Sequence, residues 1–120
     1  MSNFLKPLST IEDLDAAIAA SASRPVLIFK HSATCGTSAM AAEEIDDLAA
    51  AAPLPADIYV LRIQSARALS NEIERRFRVR HESPQILLIR DGTVVWSATH
   101  YRVTAAAIAA AVEQFATLAR

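Results

Sequence analysis

The one cysteine of the chain, Cys35, lies in a short polar stretch between an apolar segment and a helix-forming segment. The apolar run over residues 26–29 predicts a buried strand, and residues 38–52 predict a helix. A thiol at such a junction faces backbone N–H groups that lack an intrahelical partner and the positive end of the helix dipole. Both favour the thiolate and can lower the pKa of the thiol from ~8.5 toward roughly 3.5–7.5. Cys35 is therefore predicted to be a nucleophile.

The sequence contains no second thiol, and this limits the chemistry of Cys35. No internal disulfide can form, so any disulfide must join Cys35 to another molecule. Ser38 occupies the position that a Cys-X-X-Cys pair would give to its second cysteine. Its hydroxyl can either donate a hydrogen bond to the thiolate or satisfy a backbone N–H of the first helical turn. A free cysteine is also a common core residue, but the small polar neighbours of Cys35, with Gly36 beside it, favour a functional site.

The length and composition predict a single domain over residues 1–120, because a chain of this size with 52% hydrophobic residues can bury its own core. Its 12 basic and 13 acidic residues give a net charge of -1, whereas proteins that bind nucleic acid or anionic membranes usually carry a positive excess. No segment has the apolar character of a signal peptide or the length of a membrane span. A single cysteine fits a reducing compartment. We therefore expect a cytoplasmic protein with no nucleic-acid or membrane partner.

Hydrophobic periodicity and turn residues predict eight elements around the thiol. A capping box formed by Ser9 and Glu12 opens the first helix, which ends near Ala22. The pair Asp91-Gly92 predicts a hairpin turn, and Thr104 can cap the last helix. The predicted elements are helices over residues 9–22, 35–52, 66–77 and from 104 onward, and strands over 26–30, 58–63, 85–90 and 93–97. A short edge strand over residues 4–6 is a further expectation.

This order, α-β-α-β-α-β-β-α, predicts an α/β protein of thioredoxin-like fold, in which a four-stranded mixed central sheet is flanked by helices. Two βα units give parallel strands joined by crossover helices, and the hairpin adds antiparallel strands. In the second helix Met40, Ile45 and Leu48 form the predicted apolar face, and Trp96 on the last strand is predicted to lie in the core.

Three local patterns resemble the YtxJ-like monothiol bacilliredoxin family of the thioredoxin-like superfamily. Residues 29–38 resemble its active-site entry, in which two residues separate the cysteine from a serine. Residues 77–85, with the run His-Glu-Ser-Pro-Gln at 81–85, resemble a segment that precedes a strand of that family. Residues 92–104 resemble its hairpin and the start of its last helix, and the resemblance as a whole covers residues 10–118. Gly36 departs from it, since the family commonly has a proline there.

The resemblance implies thiol–disulfide exchange, in which one nucleophilic cysteine removes bacillithiol from protein mixed disulfides. It implies no cofactor, with bacillithiol or a similar low-molecular-weight thiol as co-substrate, and bacillithiolated proteins and a redoxin as partners. It also implies that Pro84 is the cis-proline of thioredoxin-like folds. A cis bond there would turn the backbone of Ser83 toward Cys35, where it can pair with a substrate strand.

Ten residues form the predicted site. Cys35 and Ser38 are the catalytic candidates, and the substrate-binding candidates are Thr34, Gly36, Thr37, Ser83, Pro84, His31, His81 and Arg80. The two histidines can act beside the thiolate, as an imidazolium in the case of His31, or can be ordinary surface residues. Five arginines between residues 67 and 80 can form a solvated helix face, or they can line a groove near Pro84 and bind carboxylates.

Two other functions stay open at the level of sequence. The segment Cys35-Gly36-Thr37-Ser38 is close to the Cys-Gly-X-Ser of monothiol glutaredoxins, which bind an iron–sulfur cluster with glutathione between two subunits. A non-catalytic interaction module would instead keep Cys35 buried. Three scattered histidines and one cysteine do not form a zinc site, so no metal site is predicted.

Overall fold

A five-stranded mixed sheet lies at the centre of the computed structural model, which describes residues 5–51 and 54–116. The spatial order of its strands is β1-β3-β2-β4-β5, where the strands are β1 (Leu5–Pro7), β2 (Val26–His31), β3 (Asp57–Arg62), β4 (Gln85–Arg90) and β5 (Thr93–Thr99). β1 and β2 run parallel to β3, whereas β4 is antiparallel to β2 and β5 to β4. The predicted α/β architecture is therefore confirmed.

The sheet has five strands where the prediction counted four, because the short edge segment is a strand of the sheet. Leu5 pairs with Ile58 and Pro7 with Val60, both in parallel register, and the Leu5 side chain is buried. Residue 4, the first of the expected edge strand, lies outside the described residues. β5 extends two residues beyond the prediction because its last residue, Thr99, pairs with Gln85 at the start of β4.

Two helical layers cover the sheet, and a 3-10 turn precedes the last helix. One layer holds α1 (Ile11–Ala20) and α3 (Arg67–Phe77), the other holds α2 (Gly36–Ala51) and α4 (Ala105–Phe115), and the turn spans His100–Arg102. Residues of the central strand β2 alternate between these layers, as the pleat requires. Leu27 and Phe29 pack with α2 and α4, whereas Val26 and Ile28 pack with α1 and α3. The loop that carries the thiol follows directly from this buried strand.

The first helix is capped by Thr10 rather than by Ser9, so the prediction was wrong by one residue. Thr10 Oγ1 accepts a hydrogen bond from the N–H of Asp13 at 3.0 Å. The Asp13 carboxylate accepts in turn from the N–H groups of Ser9 at 3.0 Å and Thr10 at 3.2 Å, and these bonds lower the pKa of Asp13. Because aspartate closes the box as well as the expected Glu12 would, the helix starts at Ile11.

Two side chains predicted as core lie nearer the surface. Met40 is 57% exposed, because the face of α2 that meets the sheet is formed by Ala41, Ala42 and Ile45. Trp96 is only half-buried, since β5 is an edge strand of the sheet. Both corrections concern residues whose burial depends on tertiary packing rather than on local pattern.

The hairpin predicted after β4 is confirmed, and the end of α1 anchors it. Asp91 and Gly92 have φ angles of 54° and 78°, as a tight turn between antiparallel strands requires. The carbonyl of Ser21 accepts from the N–H of Asp91 at 2.8 Å, and the hydroxyl of Ser21 accepts from the N–H of Gly92 at 2.9 Å. One serine thus fixes the turn of the β4–β5 hairpin against the C-terminal end of α1.

Candidate active site

Cys35 lies between the end of β2 and the first residue of α2. Its N–H donates to the Ser32 carbonyl at 3.3 Å, and its own carbonyl accepts from the N–H of Ala39 at 3.2 Å. The second bond has the spacing of a helical bond, so Cys35 stands at the N-cap of α2. The residue is half-buried rather than enclosed in the core, and this argues against a module that merely buries the thiol.

The pKa of Cys35 is lowered by hydrogen bonds that its sulfur accepts at the start of α2. The N–H of Ser38 has the largest effect, and the Ser38 hydroxyl and the N–H and hydroxyl of Thr37 add to it. Partial desolvation opposes this lowering without overcoming it. The thiolate is therefore stabilised by the groups that a helix N-terminus offers, together with two hydroxyls.

Ser38 connects the start of α2 to two other segments. Its side chain is fully buried, and its Oγ accepts a hydrogen bond from the N–H of Ser32 at 3.2 Å. The same Oγ lies 3.3 Å from Ser83 Oγ in the segment before β4. The Ser38 hydroxyl lowers the pKa of Cys35, as one of the two readings expected, whereas the backbone N–H that it bonds is that of Ser32 in the thiol loop and not one of the first helical turn.

The segment before β4 approaches the thiol loop through Ser83 and Pro84. The Ser83–Pro84 peptide bond is cis, in agreement with the resemblance. The Pro84 carbonyl accepts a hydrogen bond from the N–H of His100 at 2.9 Å, which ties the segment to the 3-10 turn. Cys35, Ser38, Ser83 and Pro84 thus belong to one cluster that joins three segments of the chain.

Gln64 is a member of the thiol loop's surroundings that the sequence prediction missed. Its Oε1 accepts from the N–H of Ala33 at 3.1 Å, and its Nε2 donates to Ser32 Oγ at 2.9 Å and reaches Thr34 Oγ1 at 3.5 Å. The available signal was topological, since Gln64 follows β3 and the carboxyl ends of parallel strands meet at one edge of a sheet. Thr34 is exposed, and it lies in a loop that these hydrogen bonds to Gln64 hold in place.

His31 is neutral at neutral pH in this environment. Burial, followed by the nearby Arg62, lowers the pKa of its imidazole, and the ring packs edge-on against Phe29 with centroids 5.6 Å apart. Its Nδ1 is buried and has no hydrogen-bond partner among residues 5–51 and 54–116. The positive potential at Cys35 thus comes from backbone N–H groups and not from an imidazolium at position 31.

His81 and Arg80 point in different directions although they are neighbours in sequence. His81 Nδ1 lies 3.1 Å from Ser70 Oγ and 3.3 Å from Lys30 Nζ, so its ring faces α3 and the buried lysine of β2. Arg80 is 89% exposed and has Glu82 as an ion-pair partner at 3.9 Å. The structure therefore groups His81 with interior polar residues and leaves Arg80 on the surface.

Several arginines between residues 67 and 80 form ion pairs, line a surface cavity, or do both. Arg75 and Arg76 both bind the Glu72 carboxylate, and Arg76 also binds Asp15 at 2.6 Å. An open cavity of about 620 Å³ lies beside α3 and is lined by Asn71, Glu74, Arg75, Arg78 and Arg80. Its lining includes no residue of the thiol loop and neither Ser83 nor Pro84, so this cavity is separate from the cis-proline.

A smaller cavity of about 230 Å³ begins at the first turn of α2. Thr37 and Met40 line one side, and His100, Tyr101 and Thr104 line the other, with Glu43 and Glu44 at the α2 edge. Met40 and Tyr101 are exposed large hydrophobic side chains, at 57% and 75%. This cavity shares Thr37 with the hydrogen bonds to Cys35.

Within residues 5–51 and 54–116, no group of three or more His, Cys, Asp or Glu side chains could hold a metal ion. Over the same ranges no helix combines the length and the apolar character needed to cross a membrane. The side-chain groups that hydrogen-bond the sulfur of Cys35 are the hydroxyls of Ser38 and Thr37.

The family described as monothiol bacilliredoxin BrxC matches residues 6–108 of the chain. A solved structure described as having a thioredoxin fold, and proposed as an oxidoreductase, is 31% identical, with a TM-score of 0.78 over 90% of this chain and 93% of its own. Two thioredoxins share the fold at lower identity. A variant from Halobacterium salinarum NRC-1 is 18% identical (TM-score 0.74, 97% and 95% covered), and that of Fasciola hepatica is 15% identical (TM-score 0.74, 92% and 98% covered).

These matches confirm the thioredoxin-like fold and the thiol–disulfide oxidoreductase activity that the sequence predicted, with thiol proteins as the class of partner. They agree with a site in which one cysteine, at the start of a helix and close to a cis-proline segment, carries the chemistry. The chain belongs to the monothiol bacilliredoxin BrxC family of the thioredoxin-like superfamily.

Proposed function

We propose that this protein removes bacillithiol, or a similar low-molecular-weight thiol, from protein mixed disulfides. The observation that carries the proposal is a half-buried thiol of lowered pKa with a serine where a second cysteine would stand. A dithiol can resolve its own adduct, whereas a single thiol must pass the adduct to an outside thiol. Membership of the family supports the same type of reaction.

The first step is attack of the Cys35 thiolate on the small-thiol sulfur of the mixed disulfide. A new S–S bond joins Cys35 to the small thiol as the old S–S bond breaks, and the target protein leaves as a thiolate that takes up a proton. In the second step another small thiol, or a partner redoxin, attacks the small-thiol sulfur of the adduct. Cys35 leaves as a thiolate and a new disulfide forms between the outside thiols, so the target is reduced and they are oxidised.

We assign substrate binding to the two segments that face each other across Cys35. On one side, the backbone of Ser83 beside Pro84 can pair with the extended backbone around the modified cysteine of a target. On the other side, Thr34, Gly36 and Thr37 bound the thiol at the start of α2. Ser38 assists Cys35 by donating its hydroxyl hydrogen to the thiolate.

The outer parts of the site suit the two halves of the substrate. The exposed guanidinium of Arg80 is available to a carboxylate of bacillithiol or of an acidic target. His31 contributes a neutral, half-buried wall at the end of β2. The exposed Met40 and Tyr101 of the smaller cavity offer apolar contact to a target protein. We further propose that residues 1–120 act as one domain in the cytoplasm, on bacillithiolated proteins and without a resident cofactor.

The proposal is tested by mass spectrometry of Cys35 after incubation with a thiol protein that carries bacillithiol, and in parallel with one that carries glutathione. We expect a Cys35 adduct of the small thiol together with release of the target as a free thiol, and more adduct from bacillithiol than from glutathione. The Cys35→Ser variant is the control, and it should form no adduct and release no target.

Failure to form either adduct would overturn the proposed reaction. An adduct between Cys35 and the target protein itself, in place of the small thiol, would also contradict it, because the thiolate would then attack the wrong sulfur of the mixed disulfide.

A further inference from the structure

Lys30 is a fully buried lysine in the central strand of the sheet. It alternates with Phe29 and His31, so its side chain faces the same layer as Ile28, between the sheet and α3. A buried charged group is costly unless it is paired or hydrogen-bonded. The partners of the Lys30 ammonium group, Ser70 and His81, therefore indicate what this buried charge does.

The Lys30 ammonium binds one residue of α3 and one residue of the segment before β4. Its Nζ donates to the Ser70 carbonyl at 3.4 Å and lies 3.3 Å from His81 Nδ1. The Ser70 hydroxyl also lies 3.1 Å from the same Nδ1. Since an ammonium has only donors, His81 Nδ1 must accept, and the neutral imidazole then carries its proton on Nε2.

The segment that contains His81 is held at two further points. The N–H of His81 donates to Glu74 Oε1 at 3.1 Å, and Gln85 Nε2 donates to the Arg80 carbonyl at 2.8 Å. Two residues after His81 comes Ser83, whose hydroxyl lies 3.3 Å from that of Ser38. A continuous series of contacts thus joins Lys30 in the core to the residue that lowers the pKa of Cys35.

We propose that Lys30 is a positioning residue for disulfide exchange, which acts through His81 to hold residues 80–84 where Ser83 and Pro84 meet the substrate. The inference rests on the proposed function. It also explains the retention of a buried charge, because an apolar side chain of similar volume is often neutral or stabilising at such a place but cannot bind His81.

Protonation of His81 is expected to release the segment. Burial, then Lys30, lowers the pKa of His81, whereas Glu74 on α3 and Glu82 in the segment raise it and Arg67 on α3 lowers it. The imidazole is therefore neutral at neutral pH. At a pH below the lowered pKa, a proton on Nδ1 would face the Lys30 ammonium, and exchange with a protein substrate should fall.

The experiment compares Lys30→Met with Lys6→Met, which removes the other lysine of the chain, an exposed one at the sheet edge. Two reactions are measured: alkylation of Cys35 by iodoacetamide, and exchange with a bacillithiolated protein. In Lys30→Met we expect alkylation and its pH midpoint to match the wild type, and kcat/KM for exchange to fall roughly ten- to hundredfold through KM. Lys6→Met should match the wild type in both reactions.

Equal exchange by Lys30→Met and the wild type would overturn the inference, and so would a parallel loss of alkylation and exchange, which indicates damage to the fold. If Lys30→Met does not fold, His81→Gln tests the same contact from the other side and should separate the two reactions in the same way. In a double variant the two losses should not add, because both remove one interaction.

An independent readout separates this inference from the proposed function. Nitrogen-15 NMR should show an unprotonated Nδ1 in the wild type at pH 7, and amide hydrogen exchange at residues 80–83 should be faster in Lys30→Met. If the wild type exchanges no mixed disulfide but these signals change as expected, the proposed function is wrong and the link between Lys30 and the segment holds. Unchanged signals in Lys30→Met would overturn the link.

Discussion

Residue 38 is a serine, at the position where a second cysteine could form a disulfide with Cys35. The Ser38 hydroxyl bonds the N–H of Ser32, lies beside Ser83 Oγ, and lowers the pKa of Cys35. A thiol is a weaker hydrogen-bond donor and acceptor, and it would also attack an adduct on Cys35. Serine therefore supports the thiolate while leaving resolution of the adduct to another molecule.

Removal of this hydroxyl should raise the pKa of Cys35. In Ser38→Ala the N–H of residue 38, which has the largest effect, is retained, so the pKa of Cys35 should rise only part of the way to its ordinary value. The rate of alkylation follows the thiolate fraction and increases with pH, so the midpoint of the rate–pH profile should move to higher pH. Below the wild-type midpoint we expect roughly three- to tenfold slower alkylation, the worth of one net hydrogen bond.

The matched control is Ser65→Ala, which removes an exposed hydroxyl that donates to the Arg62 carbonyl. Its alkylation profile should coincide with that of the wild type. A Ser38→Ala profile that also coincides with the wild type would show that the hydroxyl has no part in stabilising the thiolate.

At the scale of elements, α2 begins with a glycine that the local structure does not require. A Cβ at Gly36 would meet no atom within 4 Å, and its φ is not in the left-handed region. Gly92 differs, because its φ of 78° is one that other residues rarely adopt. Position 36 therefore has room for a Cβ, and in the resembled family it is commonly a proline.

We expect Gly36→Pro to stabilise the protein by about 0.4–1 kcal/mol, since it restricts the unfolded chain and the first turn of a helix does not need that N–H. The pKa of Cys35 should remain lowered, because the groups responsible belong to Ser38 and Thr37. Thermal unfolding and the alkylation profile measure the two effects. Gly92→Ala is the contrast and should destabilise the protein; a lower melting temperature for Gly36→Pro would contradict this account.

Local pattern was enough to predict most elements and to place Cys35 between a strand and a helix. The apolar runs gave β2 and β4, Asp91-Gly92 gave the hairpin, and the cysteine between a strand and a helix gave the nucleophile. The cap of α1 was misplaced by one residue, since Ser9 and Thr10 are both common N-caps and the N–H of Asp13 donates to the hydroxyl of Thr10.

The remainder of the site depends on which strands are neighbours, and periodicity does not give this. Gln64 braces the thiol loop because β3 lies beside β2 in parallel. Lys30 is the last residue of the predicted strand over 26–30, and nothing local indicates that α3 and the segment before β4 enclose its side chain. Pattern also gave no sign that the ring of His81, a predicted substrate-binding residue, contacts Lys30 and Ser70. Each of these contacts joins residues distant in sequence.

Across the whole molecule, the residues of the site gather at one edge of the sheet. The carboxyl ends of β2 and β3 lie beside the start of β4, because Lys30 pairs with Gln85 and His31 with Arg62. Four segments meet there: the thiol loop, the residues after β3, the cis-proline segment and the 3-10 turn. The topology of the sheet therefore determines which four segments surround Cys35.

The chain has a single cysteine, and this limits how it could bind an iron–sulfur cluster. A cluster is held by several thiolates, so one copy of this chain would need thiols from a second copy and from small molecules. We expect protein purified without oxygen to be colourless. A visible absorbance band that disappears in Cys35→Ser would contradict this expectation and favour cluster carriage.

The hydrogen bond between the Pro84 carbonyl and the N–H of His100 has a consequence for which targets the protein can treat. With that carbonyl occupied, and with the sheet ladder beginning at Gln85, the backbone that can meet an incoming chain belongs to the residues before Pro84, Ser83 among them. Hydrogen bonds between two backbones do not depend on the side chains of the target. We therefore expect this backbone contact to favour targets whose modified sulfur is accessible, and any preference for the surrounding sequence to come from the side chains around the site, such as Arg80, Met40 and Tyr101.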